Sequence, residues 1–240
     1  MHASDLKIRS GAMGFFNSVC DVFVAPGSLF SRIRYGEAWG VWVFAILTLA
    51  IFVLYYSFYS VIDSEWLVQK QLAGIQDLPT SQREELARIF RSFAEYAGWL
   101  GTFLSMLVMM LVVSGLSCYY MFMDQSEQKK TFERWFTFTL WTQTPVIVST
   151  LMFIVMLVTI PAQDFRPDLI NYSSVSQLFS IPAEQPLLYA LGNSLDIFYL
   201  WNIFLATVGI KIWTETTFTK ATLIAVTPYV LYIVAKILSI

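Results

Sequence analysis

"LLYALGNSLDIFYLWNIFLATVGIKIW", residues Leu187–Trp213, decides how many times this chain crosses a membrane. It is almost wholly apolar yet carries Asp196. A helix needs about 20 apolar residues to cross roughly 30 Å of hydrocarbon. Asn193 is a good N-cap, and from there Asp196 takes the N3 position, where a carboxylate meets orphan amides and the positive end of the helix dipole. A helix over 194–213 then spans one membrane thickness, with Pro186–Gly192 a separate short turn or helix dipping in from outside. The alternative makes Asp196 an intramembrane acid marking a proton or cation path. With Lys211 as one edge of the helix, Asp196 lies about 22 Å away along the axis, in the outer third of the hydrocarbon. Lys236 is the basic residue at a similar depth. The helix-start role is the simpler reading, and it expects Asp196→Asn to lower stability modestly.

Working outward, Ala38–Ile62, Ala97–Met123 and Trp135–Gln163 contain no charged residue or histidine, and Ala221–Ile240 contains only Lys236. Charged residues make up 13% of the chain, about half the share in soluble domains. Backbone polar groups in hydrocarbon must be satisfied internally, so each run is read as a helix. The predicted fold is an all-α, polytopic five-transmembrane-helix bundle, with spans at about 39–61, 97–123, 135–160, 194–213 and 221–239. A leader over 1–37 precedes the first span, which is therefore expected to be a permanent anchor and not a cleaved signal peptide.

Lys and Arg accumulate in cytoplasmic segments. With the N-terminus inside, Lys7, Arg9, Arg32, Arg34, Lys129, Lys130, Arg134, Lys211 and Lys220 are cytoplasmic. Lys70, Arg83, Arg88, Arg91, Arg166 and Lys236 are outside, four of them in one acidic loop. Five spans put the C-terminus on the outer, periplasmic side. Cys20 and Cys118 show no metal or disulfide spacing and are expected to be free thiols on the reducing side.

Two segments outside the hydrocarbon are amphipathic. In the leader, Phe15, Val19, Val22 and Phe23 recur at helical spacing, Pro26 breaks the run, and Leu29, Phe30 and Ile33 start a second stripe beside Arg32 and Arg34. Two readings compete: helices on the cytoplasmic surface with arginines facing lipid phosphates, or helices packed on the protein's own bundle. In the outer loop, Ser81 and Glu84 form a capping-box pattern. Leu86, Ile89, Phe90 and Phe93 follow at helical spacing, a stripe that could dock a partner or fold back over 164–184. One unbroken helix over 81–123 would measure about 64 Å and project beyond the membrane.

Depth counted from the cytoplasmic ends of the spans shows a further pattern. Thr48, Ser114, Gln143, Thr144, Asn202 and Thr227 all fall about 10–14 Å deep. Thr144 and Thr227 precede Pro145 and Pro228, which free the carbonyls of Trp141 and Ile224. This polar layer reads first as interhelical hydrogen bonding, and second as a permeation or ligand seam. Gly98–Gly101, with Ser114 and Ser117, offers close-packing surfaces.

Chemistry-bearing motifs are missing. The one histidine is His2. No HExxH, paired Cys motif, Gly-rich phosphate loop or GxSxG occurs, so neither an enzyme, a metal site nor a cofactor is expected. Asp124, Glu127 and Glu133 interleave with Lys129, Lys130 and Arg134, the pattern of a solvated turn. A net charge of −2 without a basic, aromatic-interleaved patch gives no reason to expect nucleic acid.

"LDIFYLWNIFLATVGIKIWTETTFTKATLIAVTPYVLYIV" resembles the closing two helices of bacterial Yip1-domain membrane proteins, with an acid–aromatic–Trp start, a Gly near the helix end, a short polar turn with Lys and a final apolar helix. "FVAPGSLFSRIRYGEAW" resembles their amphipathic entry. The resemblance runs from Phe15 to Ile240. It implies five helices, a cytoplasmic N-terminus, no known catalysis and a bacterial inner-membrane location. Eukaryotic members are linked to vesicle traffic and small GTPases through Asp-Leu-Tyr-Gly-Pro and Gly-Tyr-x-x-x-Pro motifs. Neither is present here, so the resemblance does not extend to GTPase binding. The expected function is that of a non-enzymatic scaffold or accessory subunit, meeting membrane lipids and another membrane protein or itself. The alternative is a small transporter or lipid-handling protein that uses the polar layer. A cavity reaching Gln143 and Asn202 would favour the alternative.

Overall fold

The computed structural model describes residues 3–36, 39–61, 65, 68–69, 72, 75, 79–94, 96–160, 167–182 and 184–239. Among them the chain is helical: α1 Ala3–Val24, α2 Pro26–Tyr35, α3 Gly40–Val61, α4 Thr80–Ala94, α5 Ala97–Met123, α6 Phe132–Thr142 and α7 Pro145–Thr159. A 3₁₀ turn at Pro167–Asn171 leads to α8 Val175–Leu178, α9 Pro186–Ser194, α10 Phe198–Thr214 and α11 Phe218–Leu238.

Four helical segments are long and apolar enough to cross a membrane: 40–61, 98–123, 132–159 and 218–238. The third combines α6 and α7. The stretch around Asp196 behaves differently. α10 has 17 residues, about 25 Å, and it begins four residues later than the sequence spacing predicts. Asn193 lies inside α9, so it is not the cap of α10. The cause is Pro186, which opens a separate helix, after which Leu195 leaves helical geometry.

α10 is the hub, packing on α11, α2, α6 and α7. Its Gly209 makes this possible. A Cβ there would lie 2.2 Å from Phe138 Cε2 and 3.0 Å from Phe30 Cδ1, closer than side chains tolerate. Around it Trp135, Phe138, Trp213 and Phe30 form one aromatic cluster, with Trp135, Phe138 and Trp213 centroids 5.0 Å apart pairwise.

Of the two readings of the leader, α2 follows the second. Leu29, Phe30 and Ile33 are fully buried in the bundle's core. Burial of each is worth about 1.5–3 kcal/mol relative to water exposure. Its arginines face protein, not lipid phosphates. Arg34 donates to the Ile212 carbonyl at 2.7 Å and pairs with Glu215, and Arg32 pairs with Asp21 at 2.7 Å. Trp213 Nε1 donates to the Phe30 carbonyl at 2.9 Å, and Arg134 to the Ile33 carbonyl at 3.0 Å.

The projecting outer helix is corrected as well. α4 ends at Ala94, Tyr96 forms a turn, and α5 starts at Ala97. Ser81 lies inside the first turn of α4 and is not its cap; the Arg83 amide bonds the Pro79 carbonyl at 3.0 Å. Gly98 and Gly101 face Tyr59 of α3, and a Cβ at Gly101 would lie 2.8 Å from that ring.

Candidate functional site: a lateral crevice beside α5 and α11

α6 stops in the middle of its span because Pro145 cannot donate to the Trp141 carbonyl. Thr144 repairs the gap: its amide and its hydroxyl both donate to Trp141 O, at 3.3 and 2.8 Å. Thr142 Oγ1 likewise donates to Thr139 O at 2.7 Å. The break presents Gln143, the C-cap of α6, towards α10. There Asn202 Nδ2 donates to Gln143 Oε1 at 3.2 Å, and Gln143 Nε2 reaches Thr142 Oγ1 at 3.3 Å. With the Asn202 amide turned the other way, its nitrogen reaches the carbonyls of Thr142 at 3.1 Å and Phe198 at 3.3 Å.

This amide pair lies in a cavity of about 360 Å³. Val108, Val112 and Leu116 of α5 form one wall, and Tyr199 of α10 with Pro228, Tyr229 and Tyr232 of α11 form the other. No charged residue lines it. The Tyr199 and Tyr229 rings lie 5.5 Å apart, and Tyr229 shares the cavity lining with both amides. Val108, Val112 and Tyr232 are each about half exposed, so the crevice opens sideways to the lipid-facing surface. The second proline, Pro228, frees the Ile224 carbonyl, which Tyr119 of α5 takes at 3.2 Å.

The polar layer thus contracts to two members. Gln143 and Asn202 meet across the bundle, but the other four residues do not join them. Thr144 bonds Trp141 O, and Thr227 bonds Leu223 O at 2.7 Å. The Thr48 hydroxyl is buried without a partner among the described residues. Ser114 is half-buried and apart from the crevice lining, while its neighbour Ser117 donates to Thr139 Oγ1 at 3.0 Å and ties α5 to α6. Rotation about each helix axis separates residues that depth alone groups together.

Asp196 lies away from the crevice, just before α10. Its Oδ1 accepts from the Phe198 amide at 2.8 Å and its Oδ2 from the Ser173 hydroxyl at 2.6 Å. An isolated antiparallel bridge joins it to Ser174. The carboxylate thus sits two residues before the helix it serves, and not at N3. No cation, Lys236 included, forms an ion pair with it among the described residues.

The outer stripe divides. The expected fold-back over 164–184 falls partly outside the described residues; among those described, Leu86, Ala87 and Phe90 pack on Val68 and Leu72, while Ile89 and Phe93 are 44% and 58% exposed. Arg91 pairs with Glu65 at 2.9 Å. Asp124 was missed by the sequence reading: it is 2% exposed, not solvated. Burial raises its carboxyl, but the hydroxyl and amide of Ser126 and the amide of Lys130 outweigh this and hold it below the ordinary range. Cys20 and Cys118 are free thiols. No three metal-ligating side chains converge among the described residues.

A family model described as Yip1 domain matches residues 20–239. No curated protein and no solved structure matches the chain. The chain therefore belongs to the Yip1-domain family of multi-pass membrane proteins.

Proposed function

We propose that this Yip1-domain protein is a non-enzymatic, lipid-handling protein that takes up an amphipathic molecule sideways, through the crevice beside α5 and α11. The observation that carries this reading is the Gln143–Asn202 pair, 3.2 Å apart, in an apolar cavity open to the lipid-facing surface. Its volume of about 360 Å³ lies in the range of ligand pockets, about 300–1,000 Å³. A lining without charge suits a neutral polar group, a hydroxyl or an ester carbonyl, carried on an apolar chain. The amides supply donor and acceptor, and the apolar walls hold the chain.

α10, flanked by α9 and α11, serves as a fifth crossing, shortened because α9 covers part of the outer leaflet. Arg32 and Arg34 of α2, Lys129 and Lys130 of the α5–α6 loop, and Lys211 and Lys220 on either side of the α10–α11 turn support a cytoplasmic position for that face. The family and this bias support the inner membrane of a bacterium, with the C-terminus periplasmic.

The test is gentle extraction of the tagged native chain, followed by mass spectrometry of everything retained. A neutral amphiphile in fixed ratio is expected. Removing one buried hydrogen-bonding partner costs about 1–3 kcal/mol, so Gln143→Leu should cut the retained ligand roughly tenfold. Val112→Trp, which fills the crevice from its lipid-facing edge, should displace it. Retention unchanged in both folded variants would overturn the reading.

The scaffold or accessory-subunit reading draws on a different observation: Ile89 and Phe93 stand exposed on α4, outside the apolar spans. It expects a protein partner or a second copy in the same extract, lost when both residues are made Ser.

A further inference from the structure

A second groove lies on the other side of α5, and a carboxylate at its mouth lacks a partner among the described residues. Its walls are Trp42 and Phe44 of α3, Met110 of α5, and Phe136 and Leu140 of α6, enclosing about 520 Å³. Met110 is 13 residues from the end of α5, about 20 Å along the axis. The groove therefore runs from the face carrying α2 through about one leaflet.

Glu133 stands at the mouth, in the first turn of α6. No hydrogen bond or ion pair holds its exposed carboxylate among the described residues. Two of the cations close to it in sequence are engaged elsewhere. Arg134 donates to the Ile33 carbonyl, and Lys130 donates to the Gln128 carbonyl at 2.5 Å. Trp39 borders the same groove, and its indole N–H is buried without an acceptor among the described residues. Its backbone has φ 45°, a left-handed conformation unusual for a bulky residue. Such strain persists where the surroundings hold it and clusters at binding sites. Directly after it, Gly40 lets α3 approach α6: a Cβ there would lie 2.5 Å from Thr137 Oγ1.

We propose that this groove holds a phospholipid bearing a primary amine, its ammonium on Glu133 and one acyl chain along the apolar walls. Charge complementarity selects this occupant. A lone carboxylate repels an anionic headgroup and attracts an ammonium, and three hydrogen-bond donors distinguish a primary amine from a quaternary one. The site stands independently of the Gln143–Asn202 crevice.

The experiment uses the full chain in nanodiscs made from equal parts phosphatidylethanolamine, phosphatidylcholine and phosphatidylglycerol with matched acyl chains, released and weighed by native mass spectrometry. The wild type is expected to retain phosphatidylethanolamine about fivefold over phosphatidylcholine, the upper end of what an exposed ion pair contributes. Glu133→Gln, at an exposed position, should erase the preference without changing total retained lipid. Met110→Trp should fill the groove and remove the bound lipid itself, and Asn202→Leu should leave the preference intact. Equal retention of the two lipids by wild type, a preference surviving Glu133→Gln, or one lost only in Asn202→Leu would each overturn the proposal. The last result would assign the headgroup to the crevice instead.

Discussion

α2 and α4 carry the same kind of sequence signal, an apolar stripe at helical spacing with charges beside it, and meet opposite fates. α2 buries Leu29, Phe30 and Ile33 completely. Among its described side chains α4 fully buries only Ala87 and leaves Ile89 and Phe93 to the surroundings. Two physical differences account for this. The end of α10 offers α2 a socket: Gly209 clears space for Phe30 and Phe138, and the Ile212 carbonyl awaits a donor that Arg34 supplies. α4 has no such socket. Five charged residues, Arg83, Glu84, Glu85, Arg88 and Arg91, keep most of its surface in water, and its contact is the small patch at Val68 and Leu72. An apolar stripe states what a helix could bury; the receiving surface decides whether it does.

The comparison breaks most readily at Phe30. Truncating a fully buried Phe costs about 3–5 kcal/mol, and Phe30→Ala also empties the space beside Phe138, whose centroid is 5.1 Å away. Thermal unfolding in detergent, followed by tryptophan fluorescence, should shift strongly downward. Phe93→Ala, an equal truncation on α4, should stay within about 0.5 kcal/mol of wild type, as exposed sites do. Equal losses in the two variants would mean that α4 has a buried docking surface after all.

Next in size is Asp196, where the capping role can be separated from chemistry. Asp196→Ala removes the acceptor for the Phe198 amide and the Ser173 hydroxyl. Loss of a helix-capping side chain costs about 0.5–2 kcal/mol. Lipid retained by the crevice should not change, because Asp196 does not line it. A folded Asp196→Ala protein that loses crevice ligand would turn the carboxylate from a helix terminus into part of the site.

What could be read from sequence alone divides along the same line. The charge-free runs mark the long helices, because a charge in hydrocarbon is costly at any rotation of the helix. Depth arithmetic from helix ends brought Gln143 and Asn202 to one level, and the structure joins them. It could not separate them from Thr48, Ser114 and Thr227, since facing depends on helix rotation and on the breaks at Gln143 and Leu195. The docking of α2 needed Gly209, 179 positions beyond Phe30, whose role appears only when the rings of Phe30 and Phe138 converge on it. Asp124 was hidden for a related reason: neighbouring charges announce a solvated turn, while its partners are the backbone amides of Ser126 and Lys130.

The smallest effect sharpens the comparison at α4 itself. Hydrogen bonding to Arg91, chiefly, holds the Glu65 carboxyl below the ordinary glutamate value. A carboxyl depressed in the folded state stabilises fully above its unfolded pKa, about 4.3, and the contribution fades as pH falls through the lower folded value. Attachment of α4 to Val68 and Leu72 should therefore be constant from neutrality down to about pH 5 and loosen below the ordinary value. Hydrogen exchange along 80–94, compared at acidic and neutral pH after correction for intrinsic rates, reads this directly. The expected change is small, because both partners of the pair are exposed and surface ion pairs contribute little. α2 has an acid-sensitive pair of its own, Arg34 with Glu215, whose carboxyl the guanidinium likewise holds below the ordinary value. It should nevertheless loosen less than α4 over the same range, since its hold rests mainly on buried rings and on guanidinium-to-carbonyl bonds that do not titrate there. Loosening of α2 as large as that of α4 would show that ion pairs hold both amphipathic helices, and would dissolve the distinction drawn between them.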